Sequence, residues 1–531
     1  MTNPLFLALT ILFSSSLYSQ APNIIVIIAD DYGIDADNGF ILGTRKPNTP
    51  HIDSLRNVGL SFTEAWSYPV CTPTRAAIMS GKYGSKTGVK TAPGNLDTSE
   101  ISIFKALKNS SANYSTAAIG KWHVAKPVLE QHPNWHGVDH YTGILGASWP
   151  AYDNWSKTEN GTTTTSTDYA TSYFTNDAIS WIRTQNASKP FFLWLAHIAP
   201  HTPFHVPPAH MYTRTNTTGQ LNRYLAMIES LDYEVGRLLD SMTTTQKANT
   251  IIIFIGDNGT PNNTLQGYPA NHGKESLYQG GVHVPMFVSG KGVSRKGETE
   301  SALVNVLDIY ATTIELAGEK LPGGKFNSLS FLPLLSNSTM HSRQYNFSEL
   351  DTNQNDITTQ GFTIRDSAYK LIEYFDGTQE FFNLTIDPLE QNDLVLAGLS
   401  NNESELIKNL REEAIIRRTD WSCNDNIQNG DETGIDSGGS MCPIFLDDAI
   451  QEITLNKKFE IFPNPANSVI IISSDSKEIN QITIYDIQGV TIASMEIDKL
   501  KKYRIDINEL KRGTYILEIN NSERHNILVL D

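Results

Sequence analysis

The chain is poor in positive charge, nearly free of cysteine and, past its first residues, without a long apolar run. Its 41 Lys and Arg stand against 58 Asp and Glu, a net charge of −17, which excludes a nucleic-acid binder or a basic surface module. An anionic substrate is not excluded. Screening at physiological salt acts over about 8 Å, so charges lining a site outweigh the global sum. No segment after the start approaches the roughly 18 uninterrupted apolar residues of a membrane-spanning helix, so a soluble mature protein is expected. Three cysteines cannot all pair with one another. Cys423 and Cys442 lie 19 positions apart in a Gly/Asp-rich stretch and can pair together, which leaves Cys71 as the odd one out.

The start, "MTNPLFLALTILFSSSLYSQAPN", runs apolar from Pro4 to Phe13 and then turns to small residues, with a cut expected after Ser19. Residues 1–19 therefore read as a signal peptide, too short to span a bilayer and lacking the usual basic start. An unpaired thiol in an exported protein asks for a chemical explanation. About 510 residues remain, too many for one core, so two or three domains are expected.

"NIIVIIADD" (23–31) is a continuous apolar run closed by two acids, the pattern of a strand buried on both faces with its polar end at the carboxyl edge of a parallel sheet. "NTIIIFIGDNG" (249–259) repeats that design, and "KPFFLWLAHIAPH" (189–201) is a third such strand opening into a His/Pro-rich loop. Helices are predicted at "TPHIDSLRNVG" (49–59) and "RYLAMIESLDYEVGRLLDSM" (223–242). Strands alternating with helices imply an α/β fold over 20–340, with its site at the carboxyl ends of the strands. Residues 341–420 read as a smaller subdomain with a hairpin around Asp376-Gly377.

A Cys/Asp/Gly-rich linker covers 421–457. There Asp425, Asp431, Glu432 and Asp436 either hold calcium or form a disulfide-tied acidic spacer. The stretch 458–531 alternates apolar and polar residues and is expected to be a β-sandwich. Its segments "FPNPANS", "YDIQGV" and "LKRGTYIL" resemble the C-terminal sorting domain of Bacteroidetes type IX secretion, a carbohydrate-binding module being the alternative. The resemblance implies type IX machinery as a partner, with the protein secreted or held at the cell surface and the periplasm as the other possible location.

Asp30, Asp31, Asp257 and Asn258 close two apolar strands and form a hard oxygen donor set, suited to calcium or magnesium and not to zinc. Around them gather Lys121 and His123 in "AAIGKWH", which alternation along an extended segment puts on one side. "APHTPFH" adds His201 and His205, "NHGKESLYQGG" adds Lys274, and Arg75 follows the odd cysteine. A divalent cation together with Arg75, Lys121 and Lys274 outweighs three aspartates, giving an acidic protein a cationic pocket for a tetrahedral oxyanion such as sulfate or phosphate.

"CTPTRAAIMSGK" (71–82) resembles the sulfatase signature, in which Cys-X-Pro-X-Arg directs oxidation of the cysteine to formylglycine (3-oxoalanine). "PNIIVIIADD", "GKWH", "PHTPF", "GDNG", "HGKESLYQGG" and "FFNLTIDPLEQNDL" follow in the family's order over 23–394. The resemblance implies an alkaline-phosphatase-like mixed sheet sandwiched by helices, a formylglycine-generating enzyme as partner, and one Ca2+. It assigns Asp30, Asp31, Asp257, Asn258 and the modified residue 71 to the metal. Arg75 is expected to hold the formylglycine hydrate, and Lys121 and His123 to flank the nucleophile with His123 as base. His201 and Lys274 are expected to bind sulfate and protonate the leaving oxygen, while His205, with no clear counterpart, is expected either to touch substrate or to shape the loop.

The implied activity is a sulfuric ester hydrolase acting on a sulfated carbohydrate, an algal polysaccharide or its oligosaccharides. The rivals are a phosphomonoesterase or phosphodiesterase of the same superfamily and a non-catalytic glycan-binding surface protein. Trp149, Tyr152 and Trp155 are expected either to stack on sugar rings or to pack a surface loop.

Overall fold

In the computed structural model of the chain, the apolar run near the start becomes strand β1 (Asn23–Ala29), with every residue buried. The structure describes residues 21–146, 149–321, 326–337, 343–351 and 358–419, and then 459–462, 469–474, 478–486, 490–507, 510–511, 513–520 and 523–529. The leader and linker readings, with Cys423 and Cys442, lie outside the described residues. The chain divides into two compact units, 1–443 and 444–531.

After β1 come β2 (Gly59–Phe62), β3 (Ala65–Trp66), β4 (Ser115–Lys121), β5 (His140–Ile144), β6 (Trp155–Glu159), β7 (Thr162–Ser166), β8 (Phe191–His197), β9 (Thr250–Gly256), β10 (Met286–Gly290), β11 (Glu298–Glu300) and β12 (Val304–Asn305). Ten of them form one sheet in the order β11-β2-β10-β9-β1-β8-β4-β5-β6-β7, while β3 pairs with β12. The centre is parallel: β9, β1, β8, β4 and β5 run the same way, and β10 runs against β9 and β2. Alternation along β1 sends Ile24, Val26 and Ile28 into one core and Ile25, Ile27 and Ala29 into another, one on each face of the sheet.

The first core is closed by helices that include α2 (Cys71–Ser80) and Asp308–Leu316, and the second by Ala170–Thr184 and Gln220–Ser241. Both helices predicted from sequence are present, as α1 (Pro50–Asn57), with Pro50 in its first turn, and as Gln220–Ser241. The result is the α/β sandwich expected from strands alternating with helices.

The smaller sheet is an antiparallel meander of β13 (Asn346–Leu350), β14 (Gly361–Arg365), β15 (Tyr369–Tyr374) and β16 (Gln379–Asn383). Its last hairpin turns at Asp376-Gly377 as the sequence predicts, with Gly377 at φ +88°. Lys370 on β15 is fully buried with its amino group 2.5 Å from Glu390, whose other oxygen accepts the backbone N–H of Gln279 at 2.5 Å. This sheet is thereby tied to the loop that carries Lys274.

Among the described residues, no helix is long and apolar enough to cross a membrane. The C-terminal unit consists of a three-stranded and a four-stranded antiparallel sheet around a core that includes Ile470, Ile472, Ile482, Ile484 and Leu517. This is the strand-rich sandwich predicted for the tail.

Candidate active site

Asp30 and Asp31 leave the carboxyl end of β1, and Asp257 and Asn258 leave that of β9. Because Ala29 pairs with Gly256 in register, the two acidic pairs stand side by side. Asp31 turns through φ +67° and is held there from both sides. Its N–H donates to Asp257 Oδ1 at 3.0 Å, and its carbonyl accepts the Tyr224 hydroxyl at 2.8 Å. The Asn258 amide donates to Asp31 Oδ1 at 2.8 Å and to Gly259 O at 3.0 Å.

Cys71 is the first residue of α2, and Arg75 follows one turn later on the same face. The fully buried Arg75 donates through Nε and Nη2 to Asp257 Oδ2 at 3.1 and 2.7 Å, and through Nη1 to the Lys121 carbonyl at 2.6 Å. A single side chain thus joins α2, β4 and β9. Cys71 Sγ lies 3.1 Å from His123 Nδ1 and 3.4 Å from Lys121 Nζ.

Lys121 ends β4, but His123 stands beyond the strand at φ +57°. The two converge as the sequence predicts, though a left-handed turn brings His123 in and not the alternation of a strand. His201 Nε2 lies 3.8 Å from Asp31 Oδ2, and Lys274 Nζ lies 2.7 and 2.9 Å from the two Asp31 oxygens. The ten residues expected to bind metal or act in catalysis therefore meet at one edge of the sheet, and His205 is not among them.

Burial alone would raise Asp30, but Lys121, His201, Arg75 and Lys274 together hold its carboxyl well below the usual range. Asp257, pushed by burial and by Asp30 against the pull of Arg75, rises to about 6. Burial raises the Cys71 thiol even with Lys121 opposing it, so residue 71 as cysteine rests protonated. Burial, Lys121 and Arg75 drive His123 well below its ordinary value, which leaves a neutral imidazole whose Nε2 has no partner among the described residues. Burial opposes the charge on Lys274, but Asp31 keeps its amino group protonated.

Asp30 Oδ1 and Asn258 Oδ1 are buried and receive no hydrogen bond from any described residue. Buried acceptors of this kind are expensive unless something positive faces them. Ligand atoms of Asp30, Cys71 and Asp257 lie within 4.8 Å of one another, as do those of Asp30, Asp31 and His201. The donor set of carboxylates and an amide oxygen fits a hard divalent cation.

Several residues at the site carry no motif. The Tyr152 hydroxyl donates to Ile198 O and His201 O at 2.8 and 2.7 Å, which fixes the loop that presents His201. The Trp149 ring lies 5.0 Å from His201 and 5.6 Å from the Lys121 amino group. Neither aromatic packs an exposed loop, and Trp155 is fully buried against Tyr173 and Phe174. His205 packs tilted against Tyr152, with ring centroids 4.3 Å apart, and bonds to the Tyr169 hydroxyl at 3.0 Å. Aromatic content had marked this loop in the sequence. Nothing there could show which rings turn inward.

A mixed sheet sandwiched by helices, with an acidic cage and a helix-borne Cys/Arg pair at its carboxyl edge, defines an alkaline-phosphatase-like hydrolase. The sulfatase profile matches residues 22–319, more than half of the chain, and the chain belongs to that family as a sulfuric ester hydrolase. A profile for the C-terminal part of N-sulphoglucosamine sulphohydrolase matches 270–419, and one for a secretion system C-terminal sorting domain matches 460–529.

The chain is 28% identical over 385 residues to the uncharacterised sulfatase YdeN of Escherichia coli strain K12, covering 65% of this chain and 67% of that one. It is also 28% identical over 364 residues to N-acetylgalactosamine-6-sulfatase of Mus musculus, covering 61% and 68%. Among solved structures, that of Ps i-CgsB in complex with k-i-k-neocarrahexaose superposes with a TM-score of 0.65 at 28% identity, covering 74% of this chain and 92% of that one.

Proposed function

We propose that this sulfatase removes sulfate from a sulfated carbohydrate, an algal polysaccharide or its oligosaccharides, using formylglycine at residue 71 and one calcium ion. The observation that carries the reading is the seating of Cys71 between His123 and Lys121, with Arg75 anchored behind it to Asp257. A thiol held protonated by burial is a poor nucleophile, which favours a modified residue over a working cysteine. Oxidised to formylglycine, residue 71 supplies a hydrated aldehyde, in which one hydroxyl attacks sulfur and loss of the other's proton releases sulfate and restores the carbonyl.

Cys71 Sγ stands in for the oxygen that this modification installs. His123, neutral and 3.1 Å from that atom, is the base that takes the second hydroxyl's proton. Arg75 holds the hydrate, and Lys121 places a positive charge beside it. Lys274, kept protonated by Asp31, binds sulfate with His201, and the pair returns a proton to the leaving alcohol. Asp30, Asp31, Asp257, Asn258 and residue 71 would hold calcium, which would supply positive charge at the site.

Carbohydrate as the substrate is supported by the relatives, whose names include a galactosamine sulfatase and a complex with a neocarrahexaose. The sorting-domain match supports export by type IX machinery to the cell surface or beyond. The proposed plan is a leader at 1–19, a catalytic domain at 20–340, its subdomain at 341–420, a linker at 421–457 and the sorting domain at 458–531. A formylglycine-generating enzyme is the required partner. Incubating the enzyme with a panel of defined sulfated oligosaccharides and mapping the position that loses sulfate tests the reading. Release from one member, absent with Cys71→Ala, is expected; no release from any oligosaccharide or from an aryl sulfate overturns it.

A further inference from the structure

We propose that a cleft beside the catalytic pocket, lined by Arg45, Lys46 and Arg214, binds a second anionic substituent of the glycan being desulfated. The inference rests on the proposed glycan substrate and adds to it a site that no signature motif covers. The cleft has a volume of about 550 Å3, and Asn48, Asn216 and Asn222 also line it. Three cations line it although the chain carries a net charge of −17.

The local charge is only partly neutralised. Among the described residues, no carboxylate lies within ion-pair distance of Arg45, whose Nη2 donates to the Asn222 side chain. Arg214 gives one donor to the Lys46 carbonyl at 2.7 Å and leaves its Nε without an acceptor. Burial acts against its proton, Glu229 acts for it, and the neighbouring charge of Arg45 acts against it, with a net lowering. Lys46 donates to the carbonyls of Asp35, Asp37 and Leu42, and the Asp37 and Asp35 carboxylates partly offset its charge, so the two arginines are the groups left to meet an anion.

The one acid in the cleft is Glu229. It lies 3.4 Å from Arg214 but already accepts the backbone N–H groups of Asn48, Thr213 and Arg214 at 3.1, 2.8 and 3.1 Å. Two guanidinium groups with free N–H donors suit a sulfate ester or a carboxylate.

Topology places this cleft on the substrate side of the molecule. Arg45 and Lys46 belong to the loop after β1 and Arg214 to the loop after β8, and β1 and β8 are adjacent and parallel. Both loops therefore rise from the edge of the sheet that carries Asp30, Asp31 and His201. A run of short contacts joins the two places. The Arg45 N–H donates to the Gln266 side chain at 3.0 Å, and the Gln266 N–H donates to Asp35 at 2.9 Å. Asp35 accepts the Thr260 hydroxyl at 2.5 Å, and the Thr260 carbonyl accepts the Lys274 N–H at 2.9 Å. A polyanionic chain that runs along this edge of the sheet from residue 71 would bring another of its charged groups to the cleft.

The test uses the full chain and calorimetric titration with three probes: dextran sulfate, oligogalacturonate and uncharged dextran. Dextran sulfate or oligogalacturonate should bind the wild type and bind Arg45→Ala/Arg214→Ala about tenfold more weakly, with the loss shrinking as salt rises. A loss confined to dextran sulfate assigns the cleft to sulfate esters, and one confined to oligogalacturonate assigns it to carboxylates. Arg45→Ala alone, which breaks only the bond to Asn222, guards against misfolding of the double variant, and Arg45→Lys should recover most of the affinity. Equal affinity of wild type and variants for both polyanions overturns the site. Turnover of 4-nitrophenyl sulfate by the wild type, measured separately, reports on the sulfatase reading itself.

Discussion

The sulfur of Cys71 and Nδ1 of His123 lie 3.1 Å apart, although 52 positions separate them in the chain. The contact joins the first turn of a helix to a left-handed residue just past a strand. Both groups are buried, and burial with nearby Lys121 and Arg75 keeps the imidazole neutral and able to accept a proton. His123→Ala should therefore lower kcat on 4-nitrophenyl sulfate by about 10²- to 10⁴-fold, the usual worth of a positioned base. Steady-state kinetics on protein whose modification at residue 71 is verified by mass provide the check. A loss of less than twofold would remove His123 from the chemistry.

Metal binding should be visible without turnover. Asp30 Oδ1 and Asn258 Oδ1 are buried acceptors without donors, and a cation facing them stabilises the folded chain alone. Calcium at 100 times its dissociation constant should add about 2.7 kcal/mol to the unit that binds it and raise its Tm. Chelation should reverse the shift and abolish activity, and Asp30→Ala should not respond. A melting curve indifferent to calcium and to chelator would contradict the donor set.

Tyr152 offers a test of a residue that no motif marks. Its hydroxyl bonds to Ile198 O and His201 O; Tyr152→Phe leaves the His201 carbonyl short of a donor at constant shape, while Ile198 O keeps the His201 N–H. Stability should fall by roughly 1–2 kcal/mol. In addition, kcat should fall more for substrates with poor leaving groups than for an aryl sulfate, because His201 is the residue displaced. An equal effect on both substrates would make Tyr152 merely structural.

These cases show what the sequence exposes and what it hides. Asp30, Asp31, Asp257 and Asn258 were legible because each pair closes an all-apolar strand, and the pairing of Ala29 with Gly256 then brings them together. Arg75 was legible from its place in Cys-X-Pro-X-Arg, and the structure adds that four residues make one turn of α2, which puts it on the face of Cys71. Lys121 and His123 were correctly grouped for an incomplete reason, since periodicity cannot announce a residue at φ +57°. Tyr224, which holds the Asp31 carbonyl, hid among the buried residues of a long amphipathic helix. Trp155 was expected either to stack on sugar or to pack a surface loop and is instead in the core, because aromatic content alone does not reveal which side of a loop faces inward.

Stability should carry a pH signature away from the site. His140 Nε2 lies 2.8 Å from Asp177 Oδ2, and that hydrogen bond raises the imidazole against an opposing effect of burial. A histidine raised in the folded state contributes fully below its unfolded value near 6.5, and the contribution is lost as pH rises through the folded value. Asp177→Asn should therefore lower Tm at about pH 5.5, by an amount corresponding to roughly 0.5 kcal/mol for a partly exposed pair, and have little effect at about pH 8.5. An equal loss at both values would mean that packing and not charge is responsible.

Mass spectrometry of the tryptic peptide that contains residues 71 to 75, taken from enzyme of measured activity, tests the central claim most directly. Conversion of –CH2SH to –CHO should make the peptide lighter by about 18 Da, and the converted fraction should scale with specific activity across preparations. Fully active enzyme whose peptide carries only unmodified cysteine would contradict the account.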